Sequence, residues 1–488
     1  MSLASALTSA RNSLATRSGE ADVVSRNIAG VNEAGYTRKN AEIVTGQPGG
    51  VRLAAITRDA DPVLFASMTK ATSEAAMRKS LLAGINRLQQ TVDPTLGDSV
   101  PSARMGALQD ALARSLATPS DAALAQNAVE KAQALARTLQ ESSALVQSVR
   151  QTADSDMAES VSKINNHLSQ FHEVNTRIVV HSASGRDMTS DFDRRDQILQ
   201  NLADELGIRT TQRPNGDMQI YTDSGITLFD TSPRNVSFSA SSFLSAGVNG
   251  QSVTIDGMSV TGPDSVMGLQ SGRLAGLAQL RDQDAPLYQS QLDEMARGLV
   301  VAFAEVNQAG SGARAGLFRN GNSLALPGSG LVNGIAAALT IAPTVDRMQG
   351  GNPLLLRDGG ISDPADPSYR LNTTNSAAFS DRLDALARAI ETPLSFDPGA
   401  GSIVSGTLSQ LASSSTGWIE GKRQTVAVEA EQKGAFLDRS KQALSNETGV
   451  NLDMEMSKML ELERAYQGSA KLISTIDNML AALLKAAG

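Results

Sequence analysis

The sequence contains no cysteine. Disulfides, thiolate metal centres and cysteine nucleophiles are therefore excluded, while the redox compartment stays open, because secreted and cytosolic cysteine-free chains read alike. Aromatic residues are almost as scarce, at 3% with a single Trp. Large enzyme cores usually draw on aromatic rings, which bury the most surface per residue. Here small and aliphatic side chains must fill the interior, a composition that suits long helices packed side by side. No apolar run approaches the roughly 20 residues of a membrane span, so membrane insertion is not expected. The segment MSLASALTSARNSLATRSG lacks a basic stretch followed by an apolar one, so no cleavable secretion signal is expected. Positive charge is not in excess either. The net charge is -8 with a pI near 5.2, the reverse of the basic surface that phosphate backbones select, and nucleic acid is not expected as a partner.

What is present is enough for about two to four domains: 488 residues, 41% hydrophobic and 19% charged, a balance compatible with a buried core. Residues 1–32 carry a helical seam. Leu3, Leu7, Ala10, Leu14, Ala21, Val24, Ile28 and Val31 follow alternating spacings of four and three, with Arg17 at the missing position. Met459, Leu462, Tyr466, Ile473, Ile476, Leu480 and Leu483 form a second seam near the other end, softened by Ser469. Asn451 is placed to cap that helix, with Asp453 and Glu455 in its first turn, where the dipole favours negative charge. Both seams are weak, and such helices need a partner to stay ordered. The two ends are natural partners for each other, with the rest of the chain looped out between them.

From Ser120 through Ser184 there is neither Gly nor Pro. A continuous helix there would be roughly 95 Å long at about 1.5 Å per residue, a rod rather than part of a compact domain. Further helices are expected near 268–308, 376–392 and 403–446. Two segments read differently. Pro214-Asn215-Gly216-Asp217 and Asp256-Gly257 separate short alternating runs and predict hairpins between 208 and 262. From about 319 to 371 Gly and Pro are frequent and periodicity is poor. The chain thus divides into a terminal coiled-coil domain (1–60 with 446–488) and a long-helix bundle domain (61–206 with 265–318 and 376–445). A β-rich domain (207–264) and a small irregular β-rich insertion (319–375) complete it. The fold class expected is mainly α with β-rich insertions: a long-helix coiled-coil stalk bearing one or two small β-rich outer domains.

No catalytic constellation emerges. His167 and His172 stand five residues apart, about 140° around a helix, and cannot share a ligand as i,i+4 histidines do. With His181 they read as a solvated helix surface. Gly257 through Gly262 is one residue too long for a nucleophile elbow and falls in a predicted hairpin. Gly417 through Arg423 has too few residues between its glycines for a phosphate loop, and ends in Arg where a magnesium-binding hydroxyl is needed. No metal site, cofactor site or acid/base pair is singled out.

The ends carry more specific patterns. Asn27-Ile28-Ala29, Asn32 and Gly35-Tyr36 within SRNIAGVNEAGYTRKN resemble the N-terminal motif of the flagellar rod, hook and hook-associated axial protein family. Arg26, Gly30, Glu33 and Ala34 depart from that pattern. Asn32 and Gly35 tolerate left-handed backbone angles and are candidate helix-ending residues, with Tyr36 packing back on the helix end. Gly449-Val450-Asn451-Leu452-Asp453, Glu455, Ala465-Tyr466-Gln467 and Ser469-Ala470-Lys471 resemble the C-terminal motif of the same family, Met454 and Glu463 being the departures. In the middle, Ile164-Asn165, Val174-Asn175, Asp193 through Leu199, Gly272–Asp282 and Leu292–Gly310 are similar to the hook-associated branch.

This resemblance implies a structural subunit of the bacterial flagellar axis, joining hook to filament by helical self-assembly. It implies export through the flagellar type III apparatus without a cleaved leader, and an extracellular place in the flagellum. The partners implied are copies of itself, the hook protein, the second junction protein (hook-associated protein 3) and a flagellar export chaperone, with no catalysis and no cofactor. Helix pairing would fall to Leu3, Leu7, Leu14, Val24, Asn27, Ile28, Asn32, Gly35, Tyr36, Asn451, Leu452, Leu462, Tyr466, Ile473, Ile476, Leu480 and Leu483. The rival readings are a hook or rod subunit, an unrelated coiled-coil surface protein, and a cell-wall hydrolase using Asp358, Asp363 or Asp366.

Overall fold

A computed structural model of the chain describes residues 3–45, 50–92, 100–182, 186–310 and 312–487. The first helix, α1, runs Leu3–Gly30. A hairpin follows, β1 (Lys39–Thr45) against β2 (Val51–Arg58), then α2 (Pro62–Gln89), α3 (Pro101–Ala117) and α4 (Ala122–His181). Next come α5 (Thr189–Glu205), α6 (Arg273–Gln279), α7 (Ala285–Ala302) and the short α8 (Ile335–Ala338) and α9 (Leu355–Asp358). The chain closes with α10 (Asp381–Ala389), α11 (Leu408–Thr448) and α12 (Leu452–Ala487).

The backbone of the molecule is α4, 60 residues in one uninterrupted helix, or about 90 Å. Its start is set by Asp121, whose carboxylate accepts the amides of Ala123 and Leu124. Ser184, where the Gly- and Pro-free stretch ends, lies outside the described residues. Leu135, Leu139, Val146, Val149, Met157, Ile164, Leu168, Phe171 and Ile178 are all buried, a 3.6-period stripe that packs in turn against α3, α7, α6 and α5. The expected helix over 268–308 is divided. A π-helical turn, Leu280–Asp284, joins α6 to α7 and adds the extra residue that turns Arg281 inward. α2 and α11 run antiparallel, cross-linked along their length by Gln89–Glu420, Arg78–Glu429 and Lys433–Glu74.

The predicted turn at Pro214–Asp217 joins β3 (Ile208–Gln212) to β4 (Met218–Thr222), and β5 (Thr227–Phe229) completes an antiparallel sheet. Phe229 from this sheet meets Phe171 of α4 edge-on, centroids 4.9 Å apart. A second small sheet turns at Asp256-Gly257, both with positive φ, the two-residue hairpin turn that the Asp-Gly pair favours. Segment 319–375 is less strand-rich than its Gly and Pro content suggested. Its strand pairing is Phe318–Asn320 with Leu339–Ile341 and a single bridge between Gly359 and Arg370, and the remainder is short helices, 3₁₀ turns and loops. Leu339, Leu356 and Ile361 sit in the same hydrophobic core as α4 and α7, so the segment is folded onto the rod.

Asp293 on α7 fastens it there. This fully buried carboxylate accepts the amides of Gly334 and Ala336, each at 2.9 Å, and the Gln289 side chain at 3.1 Å. Burial pushes its pKa up to about 6 from 3.8. The folded state therefore keeps this proton longer than the unfolded state, and the Asp293 contribution to stability falls as pH rises from about 4 to about 6. An Asp293→Asn variant is expected to lose that part of the pH slope, about 2–3 kcal/mol over the window. Denaturant titrations across the window would show it, and identical slopes in the two proteins would refute it.

Candidate functional site: the polar junction where the ends of the chain meet

α1 and α12 pack against each other. They run antiparallel, because Asn27 near the end of α1 meets Glu455 in the first turn of α12. Val24, Leu462 and Ile476 are buried in the chain; Leu3, Leu7, Leu14, Ile28, Ile473 and Leu480 are half-buried; Leu452, Tyr466 and Leu483 are exposed. The C-terminal seam is thus only partly used within one chain. Leu462 and Ile476 are covered, while Tyr466 and Leu483 of the same seam stay exposed. Leu462→Ala is expected to loosen the pair by about 2–4 kcal/mol, and Ile473→Ala, half-covered, by only about 1–2 kcal/mol. Hydrogen exchange of residues 3–30 in the purified chain reads both, and equal effects would contradict the pairing.

The helix ends differ from expectation in detail. α1 stops at Gly30, ahead of Asn32, which is exposed; Glu33 N–H donates back to the Gly30 carbonyl at 2.9 Å. Gly35 takes a φ of +79°, open to glycine without strain, and Tyr36 returns over the helix end. A Cβ at Gly30 would come within 2.6 Å of the Tyr36 ring, which explains why a glycine stands at this departure from the family pattern. At the other end Asn451 caps α12 as read, its Oδ1 accepting Met454 N–H at 3.1 Å.

Asn27 is the centre of the junction. It is 1% exposed, and its side chain is fully used. Nδ2 donates to the Lys39 carbonyl at 2.9 Å and to Glu455 Oε2 at 3.1 Å, while Oδ1 accepts Lys39 N–H at 2.9 Å and the Tyr36 hydroxyl at 3.1 Å. The other Glu455 oxygen accepts Arg38 Nε at 2.7 Å. From α5, Asp193 accepts Thr37 Oγ1 at 2.6 Å, the buried Lys39 ammonium, and Arg58 Nη1 at 3.1 Å. Arg58 also reaches Asp196 at 2.7 Å. Phe192 lies beneath the guanidinium groups of both Arg58 and Arg195, each 5.2 Å from its ring centre. Arg195, buried, binds the Gly216 carbonyl at 2.7 Å and Asn175 of α4 at 3.3 Å.

Burial shapes the charges here. It pushes the Lys39 ammonium down, opposed by Asp193, and lowers Arg195 to about 10. It pushes the Asp196 carboxyl up, opposed by Arg58, and raises Tyr36 to about 12. Beside the junction lies a half-open cavity of about 720 Å³, bordered by the 30–37 turn, Arg58, Arg195, Lys441 and Thr448. The arrangement can hold several chain segments in one orientation. It presents no nucleophile poised beside a base. Among the described residues no group of His, Asp and Glu is placed to hold a metal ion, and no helix is long and apolar enough to cross a membrane. Asp358 is engaged by Arg357 and Asn372, while Asp363 and Asp366 accept turn amides.

The junction therefore gathers the N-terminal motif, the central Asp193–Leu199 stretch and the C-terminal motif in one place. Sequence reading missed Lys39 and Arg58, whose only signal was charge within the alternating runs flanking Pro48-Gly49-Gly50.

Comparison with known proteins agrees with this distribution. The family model described as the flagellar hook-associated protein FlgK helical domain matches residues 85–319, and that of the flagellar basal body rod FlgEFG protein C-terminal matches 441–486. Flagellar hook-associated protein 1 of Bacillus subtilis is 20% identical over 99% of this chain and 98% of its own length. The chain belongs to the flagellar hook-associated protein 1 family. The member from Salmonella typhimurium is 25% identical over 58% of this chain and 52% of its own. The flagellar hook junction protein FlgK from Burkholderia pseudomallei shares the fold, with a TM-score of 0.57 at 13% identity, over 78% of this chain and 99% of that one. Membership in a family of flagellar structural proteins implies a place in the flagellum, associated with other flagellar components.

Proposed function

We propose that this chain is a non-catalytic subunit that joins hook to filament, exported through the type III apparatus and assembled helically outside the cell with copies of itself. In this reading it contacts the hook protein on one side and hook-associated protein 3 on the other, and an export chaperone attends it before assembly. Residues 1–60 with 446–488 form the assembling part, and 61–445 the outer body with its β-rich portions. The observation that carries the reading is the apolar surface that α12 leaves uncovered. Leu452, Met456, Leu460, Tyr466, Met479 and Leu483 remain exposed after α1 has packed, apolar side chains spread around the helix that neighbouring subunits can cover. The junction around Asn27 supports it by fixing the helix pair to the rod.

Deleting the gene and viewing the cells by electron microscopy, with an assay for shed flagellin, tests the assignment. Hooks without filaments, with flagellin in the medium, are expected. Missing hooks would indicate a rod or hook subunit, and intact filaments would sink the junction role.

A further inference from the structure

The sequence holds four Asn-Gly pairs, at 215, 249, 320 and 333. In such a pair the glycine nitrogen can attack the asparagine side chain, because glycine has no Cβ to hinder the approach. The fold treats the four differently. The Gly216 nitrogen donates to the Arg213 carbonyl at 3.0 Å, Gly321 to Ala338 at 2.8 Å, and Gly334 to the Asp293 carboxylate at 2.9 Å. Among the described residues the Gly250 nitrogen has no such partner. Asn249 is exposed, in a loop without regular structure.

The same loop is gripped on both sides of the pair. Arg150 binds the Val248 carbonyl at 2.6 Å, and Arg281 binds that of Gln251 at 2.7 Å. Gly250 itself lies on the Arg281 guanidinium, where a Cβ would come within 2.5 Å of Cζ. The close approach demands glycine, and that glycine leaves the preceding asparagine open to attack.

We infer that Asn249 is a site of spontaneous deamidation and isomerisation. The Gly250 nitrogen gives up its proton to water and bonds to Asn249 Cγ; the bond to the side-chain nitrogen breaks, and ammonia leaves with a proton. Water then opens the cyclic imide at either carbonyl, giving aspartate or isoaspartate, so that one water is consumed and one ammonia released. Isoaspartate places an extra methylene in the backbone between the two carbonyls held by the buried arginines, and slackens that hold.

The test is to incubate the purified full chain in mildly alkaline buffer and map its peptides by mass spectrometry, with fragmentation that separates aspartate from isoaspartate. Asn249 is expected to convert at least about five times faster than the other three, the factor that one net hydrogen bond withholds. In denaturant the four rates should converge, and Asn249→Gln should abolish conversion at that site alone. Equal rates in the native chain, or a preference for Asn249 that persists in denaturant, would overturn the inference.

Discussion

An Asp193→Ala variant is expected to lose about 3–5 kcal/mol at the junction, the usual cost of leaving a buried charge without its partner. Asp193 is the counter-charge to Lys39, whose side chain is 1% exposed, and to Arg58 at 14%. Neither cation can swing into solvent while the 36–60 segment stays in place, so relief comes by releasing that segment from α5. A chain this long unfolds in more than one step, and the effect is best read locally, as lost hydrogen-exchange protection over residues 36–45 and 50–60. Asp191→Ala serves as the comparison. Its bond to Arg177 joins side chains 29% and 49% exposed and should contribute less than about 1 kcal/mol. If the two variants behave alike, Asp193 does not hold the ends to the rod. In cells, Asp193→Ala should fail to restore filaments to a deletion strain that the unaltered gene rescues.

Arg281→Met is expected to be as damaging, at about 3–5 kcal/mol, because it strands Asp154. Both side chains are 0% exposed and paired with each other, and Arg281 also binds Asp282 at 2.8 Å. The pair ties the π-helical turn to the middle of α4, and Arg150 beside it holds the 245–248 carbonyls. Adding Asp154→Leu should restore part of the loss, since it removes the fully buried stranded carboxylate while Asp282, 7% exposed, stays without its cation. Solvent denaturation of the two variants side by side separates the cases. A double variant no better than the single one would show that the pair is needed for more than charge balance.

The long helix was legible because residues 120–184 hold neither Gly nor Pro and apolar residues recur at helical spacing along most of it. The hairpins at 214–217 and 256–257 were legible because Asn-Gly and Asp-Gly turns have a local cause in backbone sterics. The 39–58 hairpin was not, although alternation was present in both strands. Its neighbour is α1, where Thr16 Oγ1 donates to the Val51 carbonyl at 2.8 Å, and nothing local announces such a contact. The same reason hid Lys39 and Arg58. Each looks like an ordinary surface charge until α5, more than a hundred residues away in sequence, supplies Asp193 and Asp196.

The sequence by itself determined the helical rod, the two terminal helices, the Asn451 cap, the hairpin turns at 214–217 and 256–257, and the family to which the chain belongs, because propensity, periodicity and turn chemistry act over a few residues at a time. Only the tertiary structure decided which seam positions are covered, that segment 319–375 joins the main core, and that Asn27, Asp193 and Glu455 meet in one polar knot. Those outcomes depend on desolvation and on partners brought together from distant parts of the chain, and a buried charge is stable only where its counter-charge arrives with it.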